Sequence, residues 1–274
     1  MAATADATLA CIVEVDAHEG PVYLDGSLYF TTVPRRQRVD VKRVDLDTGA
    51  VSTVRANANM ANGMTLARDG RLLVCEQGTF DEPARISALD PHTGVTETIV
   101  DAHAGRPLNS PNDVVVRRDG TIWFTDPSYG HLQGFRPGPV LRDAVYRYEP
   151  ATGVTTVVAS SFDKPNGLAF SPDEQTLYVG ESGANPHVHA FDQSGDRVFA
   201  VVPGYPDGLK TDAAGRVYSS CADGVQVFDP DGALVDEIAL PGAVNFYFGG
   251  ERRNVLFITT DTAVWAAVLD TEGA

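Results

Sequence analysis

The chain has 274 residues, 43% of them hydrophobic, and carries a formal net charge of −16. This is enough apolar material for one large domain or two small ones. Acidic residues spread along the chain argue against nucleic acid or an anionic membrane as partner, and suit a protein that attracts cations.

Three cysteines, Cys11, Cys75 and Cys221, are far apart and sit in apolar runs. They read as reduced core residues of a cytoplasmic protein. The opening "MAATADATLACIVEV" lacks the basic stretch and long apolar run of a secretory leader. No segment approaches the length of a membrane span.

In chain order, residues 1–7 are expected to form a disordered tail, and Thr8 to Val15 the first strand, which belongs to no repeat. From there the pattern is all-β: apolar residues alternate or run in short blocks, broken by Asp-Gly and Thr-Gly turns. A unit of about 40 to 54 residues recurs, in the range of propellers and solenoids. Six copies open at "EGPVYLDGSLYFT" (Glu19), "NGMTLARDGRLLVCE" (Asn62), "NDVVVRRDGTIWFTD" (Asn112), "NGLAFSPDEQTLYVG" (Asn166), "DGLKTDAAGRVYSS" (Asp207) and "NFYFGGERRNVLFIT" (Asn245). In five of them the turn follows the polar residue by seven positions; the first is one residue tighter. A second hairpin, as in "RVDLDTGAVSTV" or "RYEPATGVTTVV", completes four strands per unit.

The sixth unit lacks one strand, which Thr8 to Val15 would supply. That closure leaves only short protected edges. A six-bladed β-propeller of four-stranded blades is therefore expected, as one domain over residues 1–274.

In such a ring the six opening residues would converge on the channel from six directions. Polar residues at strand starts also cap turns or bind channel water. However, all six carry a side-chain carbonyl or carboxylate, and burying two acids, Glu19 and Asp207, is costly without a cation. An all-oxygen donor set fits Ca²⁺ first, then Mg²⁺ or Mn²⁺, and Zn²⁺ least well.

The third unit has a long connection, "PSYGHLQGFRPGPVLRD", Pro127 to Asp143, carrying Tyr129, His131 and Arg136. It reads either as a flap shaping the channel mouth or as a solvated insertion. His18 is expected to pack away from Glu19, since neighbouring strand residues face opposite ways. His103 shows no metal spacing, and His187 and His189 share a strand face without a further ligand.

Together "EGP", "NSPNDVVVRRDGTIWFTDPSYG", "PNGLAFSPDEQTLYV" and "YPDGLKTDAAGRVYSS" resemble the SMP-30/gluconolactonase/luciferin-regenerating-enzyme family, with "NSPND…DPSYG" most similar to its bacterial gluconolactonase branch. The resemblance runs from about Cys11 to Leu269. It implies a six-bladed propeller holding one catalytic divalent cation at the channel mouth, and a small lactone as substrate. Carried over by motif, Glu19, Asn166 and Asp207 match the metal ligands, and Asn112 matches a substrate-contacting residue. Asp207 is then the expected general base. Ser110 stands where animal members carry an Arg that touches the sugar, and Tyr129 and His131 are further substrate-contact candidates. A monomer or weak homodimer is expected. Phosphotriester hydrolysis on the same site, or calcium binding without catalysis, are the competing readings.

Overall fold

The computed structural model describes residues 8–274; the expected tail at 1–7 lies outside them. Six antiparallel four-stranded sheets follow one another along the chain. The first blade is Val22–Leu24, Ser27–Thr31, Val41–Asp45 and Val51–Arg55; the second is Ala61–Leu66, Leu72–Glu76, Arg85–Leu89 and Thr96–Val100. The third is Val114–Val116, Ile122–Asp126, Ala144–Glu149 and Val154–Ala159; the fourth is Pro165–Phe170, Leu177–Glu181, His187–Asp192 and Gly195–Ala200. The fifth is Leu209–Thr211, Val217–Cys221, Gly224–Phe228 and Leu234–Ala239. The sixth combines Ala243–Gly249, Val255–Thr260 and Ala263–Val268 with the N-terminal strand Leu9–Glu14, which pairs Leu9 with Ala267 and Glu14 with Ala263. This closure is the expected one.

The innermost strands touch their neighbours in a complete circuit, the sixth returning to the first. Aromatic and aliphatic side chains wedge the blades together. Phe30, Phe124, Tyr146, Tyr218 and Phe246 are fully buried, each contributing about 1.5–3 kcal/mol of hydrophobic stabilisation. Sequence patterning missed one small element: a two-residue hairpin, Ala102–His103 with Arg106–Pro107, between the second and third blades. Among the described residues no helix is long and apolar enough to cross a membrane.

Glycines immediately after the opening residues explain how the inner strands come so close. A Cβ on Gly63 would lie 2.5 Å from the Asn112 carbonyl oxygen and 2.8 Å from the Asp113 Cα. Its backbone N–H instead donates to that same oxygen at 2.8 Å. Equivalent bonds run from Gly167 to the Asp207 carbonyl (3.0 Å) and from Gly208 to the Val244 carbonyl (3.3 Å). This series corrects the register of the sixth unit. Val244, not Asn245, stands where Asn112 and Asp207 stand in their blades, and Asn245 occupies the next position, as Asp113 does. Spacing to the turn could not reveal the slip, because the connection after the sixth inner strand, "GGERRN", differs from the Asp-Gly turns of the first three units and from the turns of the fourth and fifth.

Candidate functional site

Hydroxyls on the second strands staple the opening residues in place. Thr31 Oγ1 donates to the Glu19 carbonyl at 3.0 Å and Thr125 Oγ1 to the Asn166 carbonyl at 2.8 Å. Ser220 Oγ donates to the Val244 carbonyl at 2.5 Å. With their backbones fixed this way, the side chains cannot drift independently, which is the preorganisation a site needs.

Five of the six expected ring residues, Glu19, Asn62, Asn112, Asn166 and Asp207, line one cavity of about 400 Å³ at one end of the inner strands. Asn245 does not. It is buried under Glu19, donating from Nδ2 to Glu19 Oε2 at 2.7 Å and accepting the Phe246 N–H on Oδ1 at 2.7 Å. Glu19 Oε2 also accepts the Gly20 N–H at 3.0 Å. Glu19 and Asp207 are hydrogen-bonded to each other, and the Asp207 carboxyl is pushed well above the usual carboxylate range, first by burial and then by the Glu19 charge. Two acids in this position must share a proton or neutralise against a cation.

Asn166 donates from Nδ2 to Tyr129 Oη and to Ser182 Oγ, both at 3.4 Å. That orients its amide and sets Tyr129 in the cavity wall. The Tyr129 phenol is raised in pKa by burial. Tyr129 begins the one helical turn of the chain segment 127–143, Tyr129–Leu132, and with Gln133 it places this connection along the cavity wall.

Two expected contacts are not brought to the cavity. Ser110 is fully buried behind the wall, donating from Oγ to the Pro127 carbonyl at 2.7 Å and accepting the Gly130 N–H at 2.9 Å. It is a strut between the Asn112 loop and the helical turn. His131 projects outward into solvent; two residues on, Gln133 lines the cavity instead. Nor is Arg136 a flap residue facing substrate: it is buried, donating to the carbonyls of Asn109 (3.1 Å), Leu108 (3.0 Å) and Thr79 (3.0 Å). His18 corrects the alternation argument, because Glu19 precedes the regular strand. It lines the cavity, and its Nδ1 lies 2.7 Å from Asp261 Oδ1. His189 sits between Glu181 and Asp196 in the blade, as surface packing.

Buried acids that the repeat pattern did not single out lie just behind the wall. Asp126 Oδ1 and Oδ2 accept the N–H groups of Ser110 and Asn109, each at 2.8 Å. Its carboxyl is pushed up to about 7 by burial, against the pull of those two N–H groups. Asp113 is pushed up to about 6 by burial, with Lys210 opposing and Glu19 adding to the rise. "TDP" and "PND" carry these residues in sequence; only their complete burial sets them apart.

Among the described residues no three His, Cys, Asp or Glu side chains gather as a metal centre. The donor set here is two carboxylates plus amides, and it fits a hard cation. A hard cation would take the place of a proton shared between Glu19 and Asp207, and the surrounding amide oxygens suit its preference. A second cavity of about 380 Å³ is lined by Arg118, Lys210 and Arg253, with Glu174 as the acidic side chain among them.

The chain resembles known proteins over most of its length. It is 33% identical to a gluconolactonase of Zymomonas mobilis over 73% of this chain and 60% of that one. It is 29% identical to the lactonohydrolase oryL of Aspergillus oryzae, over 89% of this chain and 66% of the other. The matched regions thus span about two thirds or less of those relatives. A solved structure of XC5397 from Xanthomonas campestris, a gluconolactonase, superposes with a TM-score of 0.87 at 36% identity, covering 98% of this chain and 91% of that one. Residues 17–262 match the model of the SMP-30/gluconolactonase/LRE-like region. With its six closed blades and its wall of acids and amides, the chain belongs to the SMP-30/gluconolactonase/LRE-like family.

Proposed function

We infer that this protein hydrolyses a small lactone to the hydroxy acid, using a divalent cation held by Glu19, Asn166 and Asp207, with Ca²⁺ the first candidate. The observation that carries this reading is the convergence of those three residues with Asn112 in one cavity. The names of the relatives, gluconolactonase and lactonohydrolase, support the same substrate class.

A bound cation supplies Lewis-acid polarisation of the lactone carbonyl. Asn112, whose side chain has no hydrogen-bond partner among the described residues, turns its amide to the carbonyl or ring oxygen and orients the substrate. Asp207 in its ionised form accepts a proton from water as the water oxygen bonds to the carbonyl carbon. The tetrahedral adduct then collapses, the ring C–O bond breaks, and the departing ring oxygen takes the proton back from Asp207. Tyr129 and Ser182 keep the Asn166 amide turned toward the cavity throughout.

The test follows proton release from D-glucono-1,5-lactone with a pH indicator, after chelator treatment and re-addition of Ca²⁺, Mg²⁺, Mn²⁺ or Zn²⁺. Lactone consumption restored by one of these ions is expected. An undiminished rate in chelator would overturn the metal assignment. Paraoxon turnover with no lactone turnover would move the reading to phosphotriesters.

A further inference from the structure

We propose that Gln77 and Asn62 form the subsite that reads the ring hydroxyls of the substrate. This rests on the lactone reading above and adds the part of the molecule recognised away from the carbonyl.

Gln77 is 5% exposed and Asn62 9%, yet both line the cavity. Neither side chain has a hydrogen-bond partner among the described residues, and Asn62 Oδ1 is fully buried without one. Protein folds seldom leave buried amides idle, because each forfeits its bonds to water. The two come from adjacent strands of the second blade, where Ala61 pairs with Glu76 and the Gln77 N–H donates to the Met60 carbonyl at 3.1 Å.

Their backbone is held rigidly. Glu76, next to Gln77, accepts from Ser87 Oγ at 2.6 Å and Asn59 Nδ2 at 3.0 Å, and pairs with Arg85 at 2.6 Å. This anchor fixes the backbone from which the Gln77 side chain reaches the cavity.

The chemistry of the ligand follows from the wall. The Gln77 amide presents a donor on one side and an acceptor on the other, matching a hydroxyl that both gives and takes a hydrogen bond. No Lys or Arg lines this cavity, and its one imidazole, His18, is engaged by Asp261. The wall therefore carries no free cationic side chain to pair with a phosphate or carboxylate away from the lactone carbonyl. A site built to bond hydroxyls also discriminates strongly against analogues that lack them.

Two measurements on the full-length chain test this. The first is the ratio of kcat/KM for D-glucono-1,5-lactone to that for δ-valerolactone, which has the same ring without hydroxyls. Gln77→Leu is expected to lower the ratio about 30-fold or more, toward the loss seen when a hydroxyl-reading site is stripped of its partner. The second is calorimetric binding of 1,5-anhydro-D-glucitol, a ring polyol with no ester to hydrolyse. The parent binds it and Gln77→Leu does not. The melting temperature of Gln77→Leu without ligand is expected to equal or exceed that of the parent, because an unpaired buried amide has been removed; a merely structural glutamine would show a fall. An unchanged ratio together with unchanged polyol binding overturns the subsite. Failure of the parent to hydrolyse either lactone, with polyol binding intact and sensitive to Gln77, overturns the lactone reading and leaves the subsite standing.

Discussion

Gly63→Ala probes the contact that joins the ring to the site. The added methyl would lie 2.5 Å from the Asn112 carbonyl oxygen, 2.6 Å from Asp113 Oδ1 and 2.8 Å from the Asp113 Cα. Real Cβ contacts essentially never fall below 3.0 Å, and two of these neighbours are backbone, so the second and third inner strands must separate. Overpacking of this kind costs about 1–3 kcal/mol. Losing the hydrogen bond from Gly63 to Asn112 costs roughly 0.5–1.5 kcal/mol more. A total of about 2–4 kcal/mol corresponds to a fall in Tm of roughly 5–15 °C for a chain of this size. Because the displaced backbone carries Asn112, kcat/KM is also expected to fall, by up to about 100-fold for a shift near 1 Å. Gly138→Ala is the control: its nearest neighbour is His131 Cε1 at 4.0 Å, and it should leave both quantities unchanged. Thermal unfolding followed by circular dichroism, with lactone hydrolysis in parallel, reads the outcome. A Gly63→Ala protein within 2 °C of wild type and fully active would refute the idea that blade contacts set the site.

Asp207→Asn should reduce kcat by about 10²–10⁴, the usual contribution of a general base. In chelator the same variant should melt higher than wild type, because the Glu19–Asp207 conflict is gone; equal activity would remove Asp207 from the chemistry. Asp126 binds a proton in the folded state up to about pH 7, whereas unfolded it releases that proton near pH 4. The folded state thus holds the extra proton between those values, so the contribution of Asp126 to stability is greatest at the acid end and falls as pH rises from about 4 to 7. Asp126→Asn should flatten that slope in a series of melting curves, and an unaltered slope would place the titration elsewhere. Protein purified without chelator should contain about one divalent ion per chain by inductively coupled plasma analysis, and added Ca²⁺ should raise Tm by the mass-action term for a ligand bound only by the folded state. A Tm indifferent to every divalent ion would count against the metal site.

The sequence by itself determined the blade number, the four-strand unit, the closing strand and the convergence of Glu19, Asn62, Asn112, Asn166 and Asp207. Those features rest on period-two patterning and on repeated turns, which are local properties repeated six times. The tertiary structure alone decided where the symmetry breaks. It put Val244 in the place expected for Asn245 and sent Asn245 beneath Glu19, because the hydrogen-bond register is set by contact with the neighbouring blade. It turned Ser110 into a strut and His131 into solvent, and brought in Gln133 and His18, since side-chain direction in irregular segments depends on what the segment packs against. Asp126 and Gln77 gave no signal along the chain. What distinguishes them is depth, and depth exists only once six blades have closed around a common axis.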